Sequence, residues 1–170
     1  MRFILIAVLL LVNLALEATL FQGLRIFGVK PDFTLMIVIS YGILKGKNYG
    51  TYVGLCAGLL LDIMYGKVFG IYGLSYMITG AISGMFNEKV FKDSMLPALL
   101  FNFAAVAICQ TLIYMFSYLT NSLGYFGMPP LEFLVSRMLP LMAYNGILGG
   151  PFYRLIYRMD KSRLANRRLY

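Results

Sequence analysis

Histidine is absent from the chain, and with it go the usual general base and the commonest metal ligand. Cysteine is almost absent. Cys56 and Cys109 fall inside apolar segments without CxxC spacing, so both read as small buried hydrophobes, and neither a disulfide nor a metal site is indicated. Acidic charge is scarce as well: 7 Asp and Glu stand against 15 Lys and Arg, a formal net charge of +8. Charge of either sign makes up only 13% of the residues, against about 25% in an ordinary soluble domain. Also missing are an HExxH run, a GxGD run, a GxxxxGK[ST] phosphate loop and a serine recognisably paired with a basic residue. These absences argue against an intramembrane enzyme and against a self-sufficient ATP-driven machine. No catalytic residue, cofactor or metal ligand is assigned.

What fills the chain instead is apolar. Of 170 residues, 60% are hydrophobic, and apolar stretches recur from Phe3 almost to Tyr157. A core of this size cannot bury that much apolar surface, so lipid must solvate most of it. The net positive charge would suit nucleic acid, but its placement argues otherwise. Arg154, Arg158, Lys161, Arg163, Arg167 and Arg168 gather at the C-terminus, beyond the last apolar segment. A basic stretch beside a membrane normally faces the cytoplasm and its anionic lipid. The expected organisation is a transmembrane domain over 1–157 and a basic cytoplasmic tail over 158–170, with the bilayer and not nucleic acid as its surroundings. The apolar stretch at the N-terminus is too long for a typical signal peptide and reads as a retained first helix.

Six membrane helices are expected, an all-α polytopic fold. They run from about Phe3 to Phe21, Pro31 to Leu44, Tyr49 to Met64, Ile71 to Phe86, Met95 to Thr120 and Leu131 to Tyr153. The second begins at a proline suited to a first helical turn and is short for a full span. With both termini in the cytoplasm, the inner side holds Arg2, Lys45, Lys47, Lys89, Lys92 and the six basic tail residues. The outer side holds Arg25, Lys30 and Lys67. Basic residues thus concentrate inside, as in inner-membrane proteins. Pro140 should kink the sixth helix, and Gly146, Gly149, Gly150 and Pro151 should loosen its inner end.

Two patterns pick out candidate sites. Gly42, Gly46, Gly50, Gly54 and Gly58 recur every four residues. Gly50, Gly54 and Gly58 therefore mark one helix face where another backbone can approach, with Gly80 and Gly84 as a possible partner seam. The stripe serves either packing within the bundle or a subunit interface. The second pattern is charge inside apolar segments, which is expensive and asks for a reason. Glu17, Asp32, Asp62, Glu132 and Arg137 all fall toward the outer leaflet. Asn13 and Glu17, four apart, share a face that should look into the bundle or toward a partner. Asp32 follows Pro31 and is placed to cap free backbone N–H groups, as is Glu132 after Pro130. Asp62 and Arg137 lie deeper and are expected to pair across the bundle. The cluster suits a small-solute pocket or a groove for a partner's membrane segment.

The run from Pro31 to Gly84 resembles the rod shape-determining protein MreD family. The resemblance rests on Pro31-Asp32, then Gly50, Gly54 and Gly58 leading into Leu59, Leu60 and Asp62, then Gly66, Gly70 and Gly73. It implies a non-enzymatic component of the bacterial elongation machinery in the cytoplasmic membrane. Its implied partners are a bitopic MreC-like protein, peptidoglycan synthesis enzymes and, directly or indirectly, MreB-like filaments. The family's fold is thought to resemble the S components of energy-coupling-factor transporters, which supplies an alternative: a vitamin-binding transporter subunit. Tyr41, Tyr65, Tyr72, Tyr76 and Asn102 would be candidates to line such a pocket.

Overall fold

A computed structural model describes residues 2–19, 29–66, 68–88, 95–120 and 128–166. The basic residues Arg25, Lys67, Lys89, Lys92, Arg167 and Arg168, which enter the charge balance above, lie outside the described residues, as does the side chain of Arg163.

Among the described residues there are six helical runs. They are α1 (Arg2–Thr19), α2 (Phe33–Lys45), α3 (Lys47–Tyr65), α4 (Ile71–Met85), α5 (Met95–Leu119) and α6, which starts at Pro130 and ends at Asn166. These runs match the six apolar segments within a few residues at most ends. The last differs most, because α6 continues far beyond Tyr153 and carries Arg154, Arg158 and Lys161 on its final turns. Leu99–Leu119 is long and apolar enough to cross a bilayer unaided, with a mean hydropathy of 1.9.

Each boundary has a local cause. Asp32 caps α2: its carboxylate accepts a hydrogen bond from the Leu35 N–H at 2.8 Å. Gly46 alone separates α2 from α3 and takes φ 95°, a left-handed value that a side chain would strain. Gly70, with φ 105°, turns the chain into α4 in the same way.

The centre of the bundle is α2. Thr34 through Ser40 are buried without interruption, as are Gly42, Ile43 and Leu44. A helix buried all round must be surrounded by other helices rather than by lipid. It packs against α1, α3, α4, α5 and α6. Its two ends fix the bundle's alternation. At one end Lys45 forms an ion pair with Asp160, late in α6. At the other, the Asp32 N–H donates to the Asn145 Oδ1 of α6 at 2.9 Å.

The closest packing joins α3 to α4. A methyl group added at Gly50 would fall on the carbonyl of Gly80, one at Gly54 on that of Tyr76, and one at Gly58 on that of Tyr72. Gly84 faces the backbone of Lys47 in the same manner. The glycine stripe is thus spent on packing within the bundle. The other face of α4 adds small hydroxyls. Ser75, Thr79 and Ser83 are buried and donate to the carbonyls four residues back at 2.7, 2.7 and 2.8 Å.

In α6 a π-helical turn spans Leu134–Met138, between Pro130–Phe133 and Leu139–Asn166. The Leu139 N–H bonds back to Leu134 O, across one residue more than in an α-helix. Pro140 follows directly and has no N–H to give, and its ring needs room near the carbonyl four residues back. The widened turn supplies that room. The expected loosening at Gly149, Gly150 and Pro151 is not found: the helix runs through all three. Gly149 is pressed against the side chain of Asn102 on α5, so close packing holds this stretch together.

Candidate functional site: a polar cavity at one end of the bundle

A cavity of about 310 Å³ opens where α1 and α3 finish and where α2, α4 and α6 begin. Its lining is unlike the rest of an apolar bundle. Glu17, Lys30, Asp32 and Arg137 bring charges of both signs, and Tyr65, Tyr72, Tyr76 and Gln110 bring hydroxyls, rings and an amide.

The arrangement starts from α1. Leu10, Asn13, Leu14 and Glu17 fall on one helical stripe, and all four are buried. Val8, Leu11 and Val12 lie on the opposite side and are more than half or nearly half exposed. Asn13 and Glu17 therefore face inward as their spacing predicts. They meet the same residue, Thr34 in the first turn of α2. The Asn13 Nδ2 donates to the Thr34 Oγ1 at 2.8 Å. That hydroxyl in turn donates to the Glu17 Oε2 at 2.8 Å. A single hydroxyl acting as acceptor and donor thus ties α1 to α2 inside an apolar bundle, where leaving any of the three groups unbonded would be costly.

Asp32 is shared between two tasks. One carboxylate oxygen caps α2 and the other accepts a hydrogen bond from the Tyr76 hydroxyl of α4. The backbone N–H of the same residue is held by Asn145. Three helices thus converge on Asp32. At the rim, the Lys30 ammonium lies over the Tyr65 ring, 5.0 Å from its centroid, a cation–π geometry.

The expected pairing of Asp62 with Arg137 is not formed. Asp62 is buried, and its carboxylate accepts from the backbone N–H groups of Gly70, Tyr72 and Gly73 at 3.0, 3.0 and 2.8 Å. These are free donors at the start of α4, so Asp62 caps that helix from the end of α3 and also favours the positive end of its dipole. Three charge-assisted bonds leave it no need of a cation. Arg137 instead lines the cavity, is exposed, and forms no ion pair among the described residues. Glu132 is exposed in the first turn of α6 and lies away from the cavity lining.

Of the residues proposed as lining, Tyr65, Tyr72 and Tyr76 line the cavity, whereas Tyr41 and Asn102 do not. Sequence reasoning passed over Thr34, Asn145, Lys30 and Gln110. Thr34 and Asn145 carried a usable signal, being small polar residues in otherwise apolar runs, each fully buried in the structure.

Among the described residues the protein is a helical bundle with buried polar side chains between its helices and one helix, Leu99–Leu119, long and apolar enough to cross a bilayer, features that suit a helical membrane protein. The family model for the rod shape-determining protein MreD matches residues 1–162, and the chain belongs to that family. It is therefore a membrane protein of the bacterial cell-shape machinery. No curated protein and no solved structure matches the chain.

Proposed function

We propose that the protein is a non-enzymatic scaffold of the elongation machinery. In this reading it crosses the cytoplasmic membrane six times with both ends inside, binds an MreC-like bitopic protein, and supports lateral peptidoglycan synthesis together with wall-building enzymes and MreB-like filaments. The observation that carries the proposal is the family match over residues 1–162. The geometry is in keeping with it. Gly50, Gly54 and Gly58 are consumed by the α3–α4 seam, so a partner must dock elsewhere. The outward face of α1, with Val8, Leu11 and Val12, is apolar and uncovered within the monomer. It has the character of a surface that meets lipid or another membrane helix.

The test is to tag the C-terminus, crosslink in native membranes, and identify co-purifying proteins by mass spectrometry. A photocrosslinker at Val8 or Val12 should capture the single membrane helix of an MreC-like protein. Recovery of a transmembrane coupling subunit with paired ATPases, and of no wall-synthesis protein, would replace the scaffold with a solute-binding role.

A further inference from the structure

We infer that the polar cavity is a binding site for a small zwitterionic group, a primary ammonium joined by a short linker to a phosphate or carboxylate. The inference is independent of the scaffold role and rests on the cavity alone. About 310 Å³ of space lies among the described lining residues, and at ~30 Å³ per water it is room for about ten water molecules. Such a space suits a polar occupant, because its wall carries two carboxylates, Lys30 and Arg137.

Glu17 is the principal case. It is only 3% exposed and lines the cavity. Thr34 bonds one of its oxygens, and the other, Oε1, receives no hydrogen bond among the described residues. A carboxylate at this depth is expensive unless a donor or a cation reaches it. Asp32 contributes a second carboxylate to the same wall. An ammonium, with three donors, suits this acidic side.

Arg137 supplies the complement. Its guanidinium lines the same cavity, yet it forms no ion pair with Glu17 or Asp32. Opposite charges held apart across one space define the two ends of a ligand rather than a salt bridge. Arginine is also the side chain best shaped to take a phosphate or carboxylate in a fork. Lys30, at the rim over Tyr65, acts electrostatically on Glu17 and Asp32 and so belongs to the acidic side rather than to the Arg137 end. The same chemistry occurs in an ethanolamine phospholipid headgroup and in a free amino acid, so the experiment must separate these sources.

The full chain would be purified in mild detergent, stripped of lipid, and offered equal amounts of phosphatidylethanolamine, phosphatidylcholine and phosphatidylglycerol, with retained lipid counted by native mass spectrometry. O-phosphoethanolamine and L-alanine would be offered separately as soluble probes. The trimethylated headgroup cannot donate hydrogen bonds and the glycerol headgroup has no ammonium. A preference of about tenfold for the ethanolamine lipid is therefore expected, the discrimination that one charge-assisted hydrogen bond provides. Binding of a soluble probe at that strength would instead assign the site to a free solute. In either case Glu17→Gln and Arg137→Gln should each remove the preference. Glu17→Gln keeps an acceptor for Thr34, and Arg137 is exposed and outside the packed core, so Arg137→Gln keeps the test decisive should the first variant fold poorly. Equal retention of all three lipids without soluble binding, or a preference that survives in Arg137→Gln, would overturn the inference.

Discussion

Asp62 and Arg137 illustrate how two intramembrane charges of opposite sign can have separate reasons to exist. Asp62 is bound to three backbone N–H groups at the head of α4. Asp62→Asn should cost about 2–3 kcal/mol, since the charge-assisted character of all three bonds is lost. Arg137→Met should change stability by no more than about 0.5 kcal/mol, and the double variant should be additive. Unfolding of the purified protein in detergent measures all three, and a rescue of Asp62→Asn by Arg137→Met would revive the ion pair. Thr34 is the second residue whose effect should exceed its size. Thr34→Val preserves shape but strands both Asn13 and Glu17, at a cost of about 1–3 kcal/mol each. Its unfolding midpoint should therefore fall further than that of Thr51→Val, whose hydroxyl only bonds its own helix. The inward face of Asn13 and Glu17 was legible from their spacing of four. The role of Asp62 was not, because its partners are main-chain N–H groups of a glycine turn. Charge pattern reveals side chains that need partners, but it does not display backbone donors.

At the level of elements, the first five helices were legible nearly end to end, because apolar run length and turn residues such as Pro31, Gly46 and Gly70 dictate where helix is possible, whereas the sixth runs on past Tyr153 to Asn166. The seam between α3 and α4 was legible from glycine spacing alone, including Gly80 and Gly84 as its far side. It makes a contrast that can be measured. A methyl at Gly54 would stand 2.8 Å from the carbonyl carbon of Tyr76 and 3.1 Å from the Cα of Met77. Neither backbone can yield without parting the helices, so Gly54→Ala should destabilise by about 1–3 kcal/mol or more. Gly146 in α6 has only the flexible Phe103 ring, at 3.4 Å. Gly146→Ala should be neutral or stabilising by about 0.4–1 kcal/mol, as alanine suits a helix better. Folded yield in membranes and the unfolding midpoint distinguish the two. The π turn was not legible, since Pro140 announces a disturbance but not its form. Its effect is rotational. Phe133 and Leu141 are eight apart, which on an unbroken α-helix would set them about 80° out of line. One extra residue in the turn cancels most of that angle; both residues are buried, and the Phe133 ring lies 4.5 Å from that of Tyr114.

For the whole molecule, the proposed topology has a direct test. Asn48→Cys, in the first turn of α3 just after the Gly46 break, and Phe69→Cys, in the loop before α4, would be made with Cys56 and Cys109 replaced. A membrane-impermeant maleimide applied to intact spheroplasts should label position 69 and leave position 48 unlabelled until the membrane is opened. Labelling of both, or the reverse pattern, would overturn the orientation. Central burial of α2 has one more consequence, and it concerns synthesis in the cell. The 13 residues of this helix reach only about 20 Å at 1.5 Å per residue, less than the ~30 Å thickness of the hydrocarbon layer. It therefore depends on its neighbours to hold its depth. One of them, α6, leaves the ribosome last and brings both Asn145 for Asp32 and Asp160 for Lys45. Until that helix is made, the Asp32 N–H and the Lys45 ammonium, at the two ends of the second helix, lack these partners. Chains halted before it should thus be recognised as unfinished and degraded, which couples the accumulation of this shape-determining protein to completion of α6.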